Sequence, residues 1–436
     1  MKPRDIVDVA EGHLCTGCGV CAYLEPETVT MVDIVDKGLR PSVSARGEHS
    51  PTTLACCPGA GLTHDYDRTD PAINQDLQDV WGPVYGVWEG YASDENIRWR
   101  GSSAGAATVL SAFCLEEQGM EGVVHIKARE DVAYLNETTF STTVPELVAA
   151  TGSRYAPASP CTGLDSIEKA SAPCVFIGKP CDVAATQRAR RYRPDLDRNL
   201  GLVIGIFCAG TPSTHGTLEM LRQMGVDPNL VTDVKYRGQG WPGLAEAKVS
   251  DGSKQSLTYE QSWGDVLQKH RQWRCYVCAD HTGEFADVAV GDPWYREVDG
   301  KNPGQSLVVA RTPRGKEIVE AAIDAGYLTA SRVSHDLLPR SQPNLQSARG
   351  SVWGRIQMLR LFRAYAPRYQ GLPMAHIWLR ELSLRQKLQS TVGTVRRIRS
   401  KALKTRAPVG SDAPRYVSVG TQTKRGIGSG SLPENG

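Results

Sequence analysis

The chain has 436 residues, of which 40% are hydrophobic and 22% are charged, and its formal net charge is +2. This length and composition are typical of a globular protein with two or three domains and a large buried core. The small net charge does not indicate nucleic-acid binding, the first residues lack the apolar stretch of a signal peptide, and no run of about 18 apolar residues predicts a membrane span.

Three cysteines spaced two residues apart lie close to the start of the chain, in the run LCTGCGVCAYLEP. The spacing of Cys15, Cys18 and Cys21 brings three thiolates to one face of an iron–sulfur cube, whereas zinc sites usually take their ligands as two separated pairs. Gly17 and Gly19 let the backbone wrap closely and aim N–H groups at the sulfurs. The pattern therefore predicts a 4Fe-4S cluster that moves single electrons, with a structural zinc knot as the alternative.

A cluster of this kind needs a fourth thiolate, and Cys57 is the best candidate. Cys57 and Pro58 reproduce the Cys-Pro pair that often ends a ferredoxin motif. Cys56 competes for the same role, because two adjacent cysteines cannot easily both bind one cube. We therefore predict a ferredoxin-like iron–sulfur segment over residues 1–65, with the choice between the two cysteines left open.

Residues 66–100 are polar with few periodic signals and are interpreted as a connector, after which helix and strand patterns alternate. The predicted elements are a helix in AGAATVLSAFCLEEQG that stops at Gly119, the strands GVVHIKA and APCVFIGKPC, the helix DVAATQRARR and the strand NLGLVIGIFC. The alternation predicts an α/β core. We set the bounds of this core domain, with its connector, at residues 66–330.

The run GSSAG opens the first helix of that core, and it begins at Gly101. Ser102 or Ser103 can cap the helix, and the free N–H groups with the helix dipole favour an anion such as a cofactor phosphate. The run lacks the full glycine pattern of known dinucleotide or nucleotide loops, so a plain N-cap with small residues for close packing is the alternative.

A second set of cysteines follows predicted strands or turns: Cys181, Cys208, Cys275 and Cys278. Ligands in α/β folds gather at the carboxyl ends of parallel strands, so one C-x-x-C pair and two single cysteines could close a four-thiolate site. A thioredoxin-like redox pair and ordinary buried cysteines are the alternatives that the spacing leaves open. The other cysteines are interpreted as packing residues: Cys114, Cys161 and Cys174. Because a long chain without a secretion signal favours ligation over disulfides, we predict a reducing cytoplasm.

The last hundred residues differ in composition from the rest of the chain. Residues 331–406 carry many Arg and Lys, with Glu381 as the one acid after Arg340, and they mix apolar and basic side chains at helical spacing. Such basic helices lie on an anionic membrane surface, dock an acidic partner, or simply pack on the core. Residues 407–436 are rich in Gly, Ser, Pro and Thr and are predicted to be disordered.

Eight motifs in a fixed order resemble those of one family. They are CTGCGVC, GSSAG, GSRYAP, GKPCDVAA, FCAGTPS, KYRGQGWPG, CYVCAD and ADVAVGDPW. This order is similar to that of the coenzyme F420 hydrogenase/dehydrogenase beta-subunit family, which also includes 7-hydroxymethyl chlorophyll a reductase and ferredoxin-dependent divinyl chlorophyllide 8-vinyl reductase. The resemblance covers about residues 10–330.

The resemblance implies FAD and one or two 4Fe-4S clusters, here assigned as two. It implies that the second cysteine set holds the family's central cluster and that the N-terminal triplet holds an additional one. It also places the GSSAG run near the FAD phosphates, with Gly101, Ser102, Ser103 and Gly105 as contacts. Near the flavin it adds residues that spacing alone does not assign: Ser153, Arg154, Tyr155, Arg237 and Gly238.

These expectations lead to an iron–sulfur flavoprotein oxidoreductase. It is expected to pass electrons between a ferredoxin-like carrier or F420 and an organic substrate, because flavins join two-electron substrates to one-electron clusters. Lys179, Lys235 and Arg237 are candidates for stabilising reduced flavin or an anionic substrate. No catalytic acid is assigned among Asp280, His281, Asp287 and Asp292. The alternatives are a non-catalytic electron-transfer subunit of a larger complex and a zinc-bound or nucleic-acid-associated protein, the last without a supporting motif.

Overall fold

The computed structural model describes residues 1–44, 50–297 and 302–409 and the backbone of 416–418. The predicted disorder of 407–436 therefore falls almost entirely outside the described residues. The fold is mixed α/β, as the alternating pattern predicted, and its largest feature is an eight-stranded mixed sheet.

The N-terminal segment combines short helices with a small sheet. Its elements are α1 (Ile6–Glu11), α2 (Val20–Leu24), β1 (Val29–Ile34), β2 (Gly38–Val43), α3 (Pro51–Cys56) and β3 (Gly61–Thr63). Strands β1 and β2 form an antiparallel hairpin with Val29 opposite Val43. Its apolar face, with Met31 and Leu39, packs against Ile6 and the thiol of Cys21. The hairpin therefore supports the loop that carries the cysteine triplet.

The α/β core follows as a longer series of helices and strands. In chain order its elements are α4 (Gln78–Trp81), β4 (Gly86–Ala92), α5 (Glu95–Arg100), α6 (Ala106–Glu116), β5 (Val123–Ala128), β6 (Asn136–Ser141), α7 (Val144–Ala149), α8 (Leu164–Glu168), β7 (Cys174–Gly178), α9 (Pro180–Ala189), α10 (Pro194–Asn199), β8 (Leu200–Ile206), α11 (Thr214–Gln223), β9 (Val231–Lys235), β10 (Ala245–Val249), β11 (Lys254–Leu257), α12 (Trp273–Tyr276), β12 (Val288–Gly291), β13 (Ser306–Ala310), α13 (Pro313–Asp324) and β14 (Leu328–Arg332). The five elements predicted from the sequence are confirmed as α6, β5, β7, α9 and β8.

The interpretation of residues 66–100 as a connector was wrong for its second half. This stretch contains β4, which pairs with β13 and β14 inside the large sheet. The sequence pattern does not predict this strand, because Glu89 and Gly90 interrupt its apolar run. Glu89 is nevertheless buried and forms an ion pair with Arg296.

The large sheet has the strand order β14-β4-β13-β12-β8-β7-β5-β6. Strands β12, β8, β7 and β5 are parallel neighbours, whereas β13 runs antiparallel to both β12 and β4. Strand β4 therefore points the same way as the parallel strands. Their carboxyl ends meet at one edge of the sheet, which we call the carboxyl edge.

Helices cover both faces of this sheet. Leu202 and Ile204 of β8 pack with α6 and α13 on one face, and Val203 packs with α9 and α10 on the other. Side chains alternate along a strand, so a strand covered on both faces is apolar at successive positions. This burial explains the uninterrupted apolar runs by which these strands were predicted.

The C-terminal extension is helical and packs on the core. Its elements are α14 (Leu337–Ser341), α15 (Leu345–Leu361), β15 (Arg368–Gln370), α16 (Met374–Arg380) and α17 (Leu384–Ser400), and Tyr416–Ser418 then forms the short strand β16 beside β1. Arg349 of α15 forms a buried ion pair with Glu284 of the core. None of the helices in the described part of the chain is long and apolar enough to cross a membrane.

Candidate functional site

Cys15 and Cys18 lie on a tightly wrapped loop before α2, and Cys21 lies in the first turn of that helix. Gly17 and Gly19 have φ values of 76° and 86°, in the left-handed region that glycine adopts without strain. A side chain at Gly19 would collide with Ser159 and Thr162. The N–H of Gly17 donates to the thiol of Cys15 at 3.4 Å. The loop is therefore held close to the core, and its geometry depends on these two glycines.

Cys57 lies beside the triplet, directly after α3. Burial, reinforced by the neighbouring Cys18 and Cys15, raises the pKa of the Cys57 thiol to about 12. The pKa of Cys21 is likewise raised by burial and by all three of these thiols. Among the triplet thiols, Cys18 alone influences the pKa of Cys56. The structure thus brings Cys57 together with all three triplet thiols, and its role as the fourth ligand stays a prediction.

Cys161, predicted from the sequence to be a packing residue, approaches the same group. Its backbone N–H donates to the carbonyl of Cys18 at 3.0 Å, and contact with its thiol lowers the pKa of Cys18. It is fully buried, as a packing residue would be. No spacing rule relates residues 18 and 161, so only the fold reveals this proximity.

The second cysteine set also converges, around one cavity at the carboxyl edge. Cys181 lies in the first turn of α9, Cys208 follows β8, and Cys275 and Cys278 lie in and after α12. All four line the same cavity, together with other residues that include Thr16 and His281. The topology places them there because β7 and β8 are adjacent parallel strands.

Backbone N–H groups point at the sulfurs of this second set. Thr211 donates to the Cys275 thiol at 3.3 Å, and Gly210 donates to the Cys208 thiol at 3.4 Å. Burial raises the pKa of Cys208 to about 12 and that of Cys278 to about 11. Such thiols stay protonated unless a positive charge is supplied, which a metal centre does.

The arrangement of ligands differs from that of a single-ion site. Within the described residues, no three His, Cys, Asp or Glu side chains are placed to hold one metal ion. In an iron–sulfur cube each thiolate binds a different iron atom, so its ligands lie farther apart than those of a single zinc ion. Four thiols that line a common cavity meet this looser requirement, and the donor set is the one that such clusters use.

Arg274 connects the two cysteine groups. Its guanidinium donates to the carbonyl of Pro58, next to Cys57, at 2.8 Å and to that of Val277 at 3.2 Å. The side chain is buried, and its charge acts on Cys15 of the first group as well as on three cysteines of the second. These three are Cys181, Cys275 and Cys278. A single buried cation therefore serves both groups.

Further along the carboxyl edge, a polar cradle forms around Asp292, the residue that follows β12. Its carboxylate accepts from both terminal nitrogens of Arg237 at 2.9 Å, from Ser103 at 2.7 Å and from the Trp241 indole at 2.8 Å. Arg237 also donates to the carbonyl of Ser102 at 2.9 Å. Burial alone would raise the pKa of Asp292, but Arg237 outweighs that effect and lowers it. The cradle is thus a fixed pair of opposite charges.

Three glycine-bearing loops meet at this cradle. The Ser102 hydroxyl accepts the N–H of Ser153 at 2.6 Å, and Arg237 donates to the Tyr155 hydroxyl at 3.3 Å. A side chain at Gly238 would approach the carbonyl of Arg100 to 2.6 Å, so only glycine permits this contact. The N-cap of α6 is Gly105, with φ 76° and no side-chain cap, and not Ser102 or Ser103 as the sequence predicted. The uncapped N–H groups there fit a phosphate.

Arg154 is directed away from the cradle. Its guanidinium donates to Asn136 and to the backbone carbonyls of Val234, Ala133 and Leu135. Its side chain therefore ties β9 to the residues before and in β6. The structure brings together the other residues that the resemblance placed near the flavin, but not this guanidinium.

Most of the remaining charged candidates have structural partners. Lys179 pairs with Asp182 at 2.6 Å and lies near Cys181 and Cys208 rather than in the cradle. Asp280 accepts three backbone N–H groups of the following turn. Asp287 accepts from the backbone of β8 and from a threonine before α13. Of the acids weighed in the sequence, Asp280 lines the four-thiol cavity and Asp292 forms the centre of the cradle.

Aromatic side chains line the cradle, and the sequence analysis did not assign them. Trp294 lies 5.2 Å from Trp241 and 5.3 Å from Tyr259, measured between ring centroids. Arg237 lies over the Tyr259 and Trp294 rings at 5.1 and 5.5 Å. The runs GWPG and DPW contain two of these residues and were the available signal. They show no periodicity, so only the fold reveals the shared wall.

Comparisons with known proteins identify the family of this chain. Residues 87–164 match the family model for the N-terminal part of the coenzyme F420 hydrogenase/dehydrogenase beta subunit, and residues 173–336 match the model for its C terminus. The F420-dependent formate dehydrogenase subunit beta of Methanocaldococcus jannaschii is 28% identical, over 56% of this chain and 61% of its own length. The chloroplastic 7-hydroxymethyl chlorophyll a reductase of Oryza sativa subsp. japonica is 24% identical, over 59% of this chain and 55% of its own length.

The chain thus spans less than two thirds of the length of either relative. The fold is also similar to a chain of the F420-reducing NiFe hydrogenase complex from Methanosarcina barkeri, solved as a xenon derivative. The TM-score is 0.53 and the identity 18%, with 69% of this chain and 98% of that chain covered. At this identity the likeness concerns the fold alone.

Proposed function

Because this chain belongs to the coenzyme F420 hydrogenase/dehydrogenase beta-subunit family, we propose that it is an oxidoreductase with FAD and two 4Fe-4S clusters. Its proposed reaction passes electrons between a ferredoxin-like one-electron carrier, or the deazaflavin F420, and a small organic substrate. F420 enters this proposal because one relative is named as F420-dependent. When bound, FAD exchanges electron pairs with organic substrates and single electrons with iron–sulfur clusters.

One observation carries the proposal: two sites of different chemistry share the carboxyl edge of the sheet. The four-thiol cavity lies beyond β7 and β8, and the cradle of Asp292 lies beyond β12, the neighbour of β8. Ligands of α/β folds bind at such an edge. A one-electron centre and a two-electron centre must be close together to exchange electrons, and this topology supports that placement.

The proposed cluster ligands fall into two sets of four. The first set is Cys15, Cys18, Cys21 and Cys57, and the second is Cys181, Cys208, Cys275 and Cys278. Arg274 is a buried cation beside these thiols, and Lys179 lies near Cys181 and Cys208 but is paired with Asp182. A buried charge without an ionic partner is costly, so Arg274 favours neighbours that carry negative charge in the working protein.

The proposed flavin contacts are the residues of the cradle loops. They are Gly101, Ser102, Ser103, Gly105, Ser153, Tyr155, Arg237 and Gly238. The start of α6 would receive a phosphate, because its N–H groups have no side-chain cap. Arg154 would act indirectly, by holding β9 in place. Trp241 and Trp294 would exclude water from the site, since both pack beside the ion pair of Arg237.

The test is anaerobic purification followed by counting of iron, sulfide and flavin. We expect about eight iron atoms and one flavin per chain. Reduction is then attempted with a reduced acidic ferredoxin and with reduced F420, and the bleaching of the visible absorbance is followed. A colourless protein that contains zinc would contradict the proposal. Bleaching by one reductant and not the other would identify the carrier.

A non-catalytic electron-transfer subunit is the second candidate function. The naming of the relative as a subunit and the similarity to a chain of a hydrogenase complex favour it. The two candidates differ in what the isolated chain does. An enzyme reduces or oxidises an organic substrate by itself, whereas an electron-transfer subunit exchanges electrons with the carrier but requires other subunits for turnover.

The proposed setting is the cytoplasm, without nucleic acid as a partner. All twelve cysteines are free of disulfides. Free cysteines that serve as cluster ligands require a reducing environment.

A further inference from the structure

Three guanidinium groups converge on Tyr276, which lies between Cys275 and Cys278 at the end of α12. Arg271 lies over the ring of Tyr276 at 4.9 Å and Arg397 lies over it at 5.5 Å. Arg355 donates to the backbone carbonyl of the same tyrosine at 2.5 Å. We call these four residues the Tyr276 patch. Arg355 and Arg397 belong to α15 and α17, so the C-terminal extension supplies two of the three charges.

No carboxylate in the described part of the chain pairs with any of these three arginines. Two buried arginines elsewhere, Arg237 and Arg349, do have such partners, in Asp292 and Glu284. Burial, with the like charges of Arg397 and Arg271, lowers the pKa of Arg355 to about 10. Like charges held together repel each other, so the patch lacks the counter-charge that would stabilise it.

The Tyr276 patch lies beside the loops that carry the proposed ligands of the central cluster. Tyr276 sits between Cys275 and Cys278, and its ring stacks on Trp273 with centroids 5.8 Å apart. Arg271 donates to the carbonyl of Ala209, the residue after Cys208, at 2.9 Å. A molecule bound at the patch would therefore lie beside the loops that carry three of the four thiols of the second set.

We propose that the Tyr276 patch is the docking surface for the acidic face of a one-electron carrier protein. This inference rests on the proposed function and deepens it by placing the electron carrier at the central cluster rather than at the N-terminal one. Complementary charge steers such encounters and raises the association rate. A reduced carrier loses one electron per encounter and the holoprotein gains one, so two encounters supply an electron pair.

An anionic membrane fits the patch less well than an acidic protein does. Membrane-bound helices insert large apolar side chains beside their basic ones. The exposed apolar residues of α17 are Leu384, Leu388 and Val392. They lie about 140° to 180° around the helix from Arg397, since successive residues turn by about 100°. The patch itself offers aromatic and cationic groups only, which suit a carboxylate-bearing protein surface.

The test measures how fast a reduced acidic bacterial ferredoxin reduces the anaerobic holoprotein at several salt concentrations. We expect the wild-type rate to fall steeply with salt. The double variant Arg271→Glu/Arg397→Glu should be about tenfold slower at low salt and should lose most of the salt dependence. The single variant Arg397→Glu guards against misfolding, because this side chain forms no hydrogen bond that ties it to the described residues of the core. This single variant should also be reduced more slowly at low salt and depend less on salt, but both effects should be smaller.

A matched control is Arg385→Glu/Arg396→Glu, which reverses two charges on the outer side of α17. This variant should keep the rate within about twofold of wild type. Equal slowing by both double variants, or no slowing by the patch variant, would overturn the proposal. A second result would also overturn it: the wild type binds phosphatidylserine vesicles, the patch variants do not, and ferredoxin still reduces the patch variants fast. As a control, excess dithionite should bleach the visible absorbance of every variant fully, which shows that the clusters are present. Missing iron would count against the proposed function and not against the docking surface.

Discussion

The guanidinium of Arg274 donates a 2.8 Å hydrogen bond to the carbonyl of Pro58, and so joins the loop of one cysteine group to that of the other. More than two hundred residues separate the two partners in the chain. The remaining nitrogen of the guanidinium, Nε, has no hydrogen-bond partner among the residues that the structure describes. A buried cation in this position lowers the energy of added negative charge on both sides.

Replacement of Arg274 should therefore change both proposed clusters together. We expect Arg274→Gln to shift the reduction potentials of both to more negative values, because reduction adds an electron that the cation no longer stabilises. The measurement is a redox titration followed by electron paramagnetic resonance.

Arg188 offers a matched control for Arg274. It donates to the carbonyls of Ala55 and Cys57, and its charge acts on Cys57 and Cys56. Arg188→Gln should shift the potential of the N-terminal cluster and leave the central one unchanged. If Arg274→Gln moved a single potential, as Arg188→Gln should, the role of Arg274 as a link would be refuted.

Replacement of one proposed ligand in either set should remove the iron of that cluster. We expect Cys18→Ser and Cys278→Ser each to lower iron by about half, because each set would hold one of two clusters. Cys174→Ser is the control, since this cysteine is fully buried in β7 and outside both sets. Full iron in Cys278→Ser would remove the central site from the proposal. Comparison of Cys56→Ala with Cys57→Ala identifies the fourth ligand of the first set.

The cradle predicts different roles for two arginines that the resemblance treated alike. Arg237→Gln should weaken flavin binding about tenfold or more, because the charge-assisted bonds that hold the cradle are lost. Arg154→Gln should lower the free energy of unfolding by about 1–3 kcal/mol, because buried carbonyls lose their donors, while the flavin content stays near that of wild type. Flavin release by dialysis and chemical denaturation separate the two effects. Loss of flavin in Arg154→Gln alone would reverse the assignment.

The buried pair of Glu284 and Arg349 should control the attachment of the extension. Arg349→Met leaves the Glu284 carboxylate buried without its main partner, which should cost about 3–5 kcal/mol of stability. The double variant Glu284→Gln/Arg349→Met should recover most of that loss, because no uncompensated charge remains. Denaturant unfolding measures both. A double variant no more stable than Arg349→Met would show that the charge is not the cause.

The same pair predicts a pH dependence of stability. Burial by itself would raise the pKa of Glu284, but Arg349 and His64 outweigh it and hold the pKa at about 2. A carboxyl with a depressed pKa in the folded state stabilises fully above its unfolded value of about 4.3, and this contribution is lost as the pH falls toward 2. The wild type should therefore lose its advantage over Glu284→Gln between about pH 4.5 and pH 2. A constant difference in melting temperature over that range would contradict the assignment.

The sequence predicted those elements whose burial or spacing shows within a short stretch of residues. Strand β8 was recognisable because both of its faces are buried, and the loop of Gly17 and Gly19 because three cysteines surround it. Strand β4 was missed because Glu89 interrupts it, and the partner that makes Glu89 acceptable, Arg296, lies two hundred residues away. Nothing in a local window relates the two.

The candidate site shows the same limit. Asp292 looked like its neighbours in the sequence, each an ordinary acid near a cysteine pair. Its role comes from Ser103, Arg237 and Trp241, which separate chain segments bring to it. The resemblance to a family named Arg237 but not the aspartate that orients it. Contacts between distant segments arise only in the folded molecule, so composition and spacing do not predict them.

The first and last parts of the polypeptide complete each other. Arg406 bonds to both Asp8 and Glu11, and Tyr365 donates to Asp8. Because Tyr365 and Arg406 are synthesised long after Cys15, the surroundings of the cysteine triplet are completed only when these later segments have folded. Assembly of the proposed N-terminal cluster should then follow the folding of these segments.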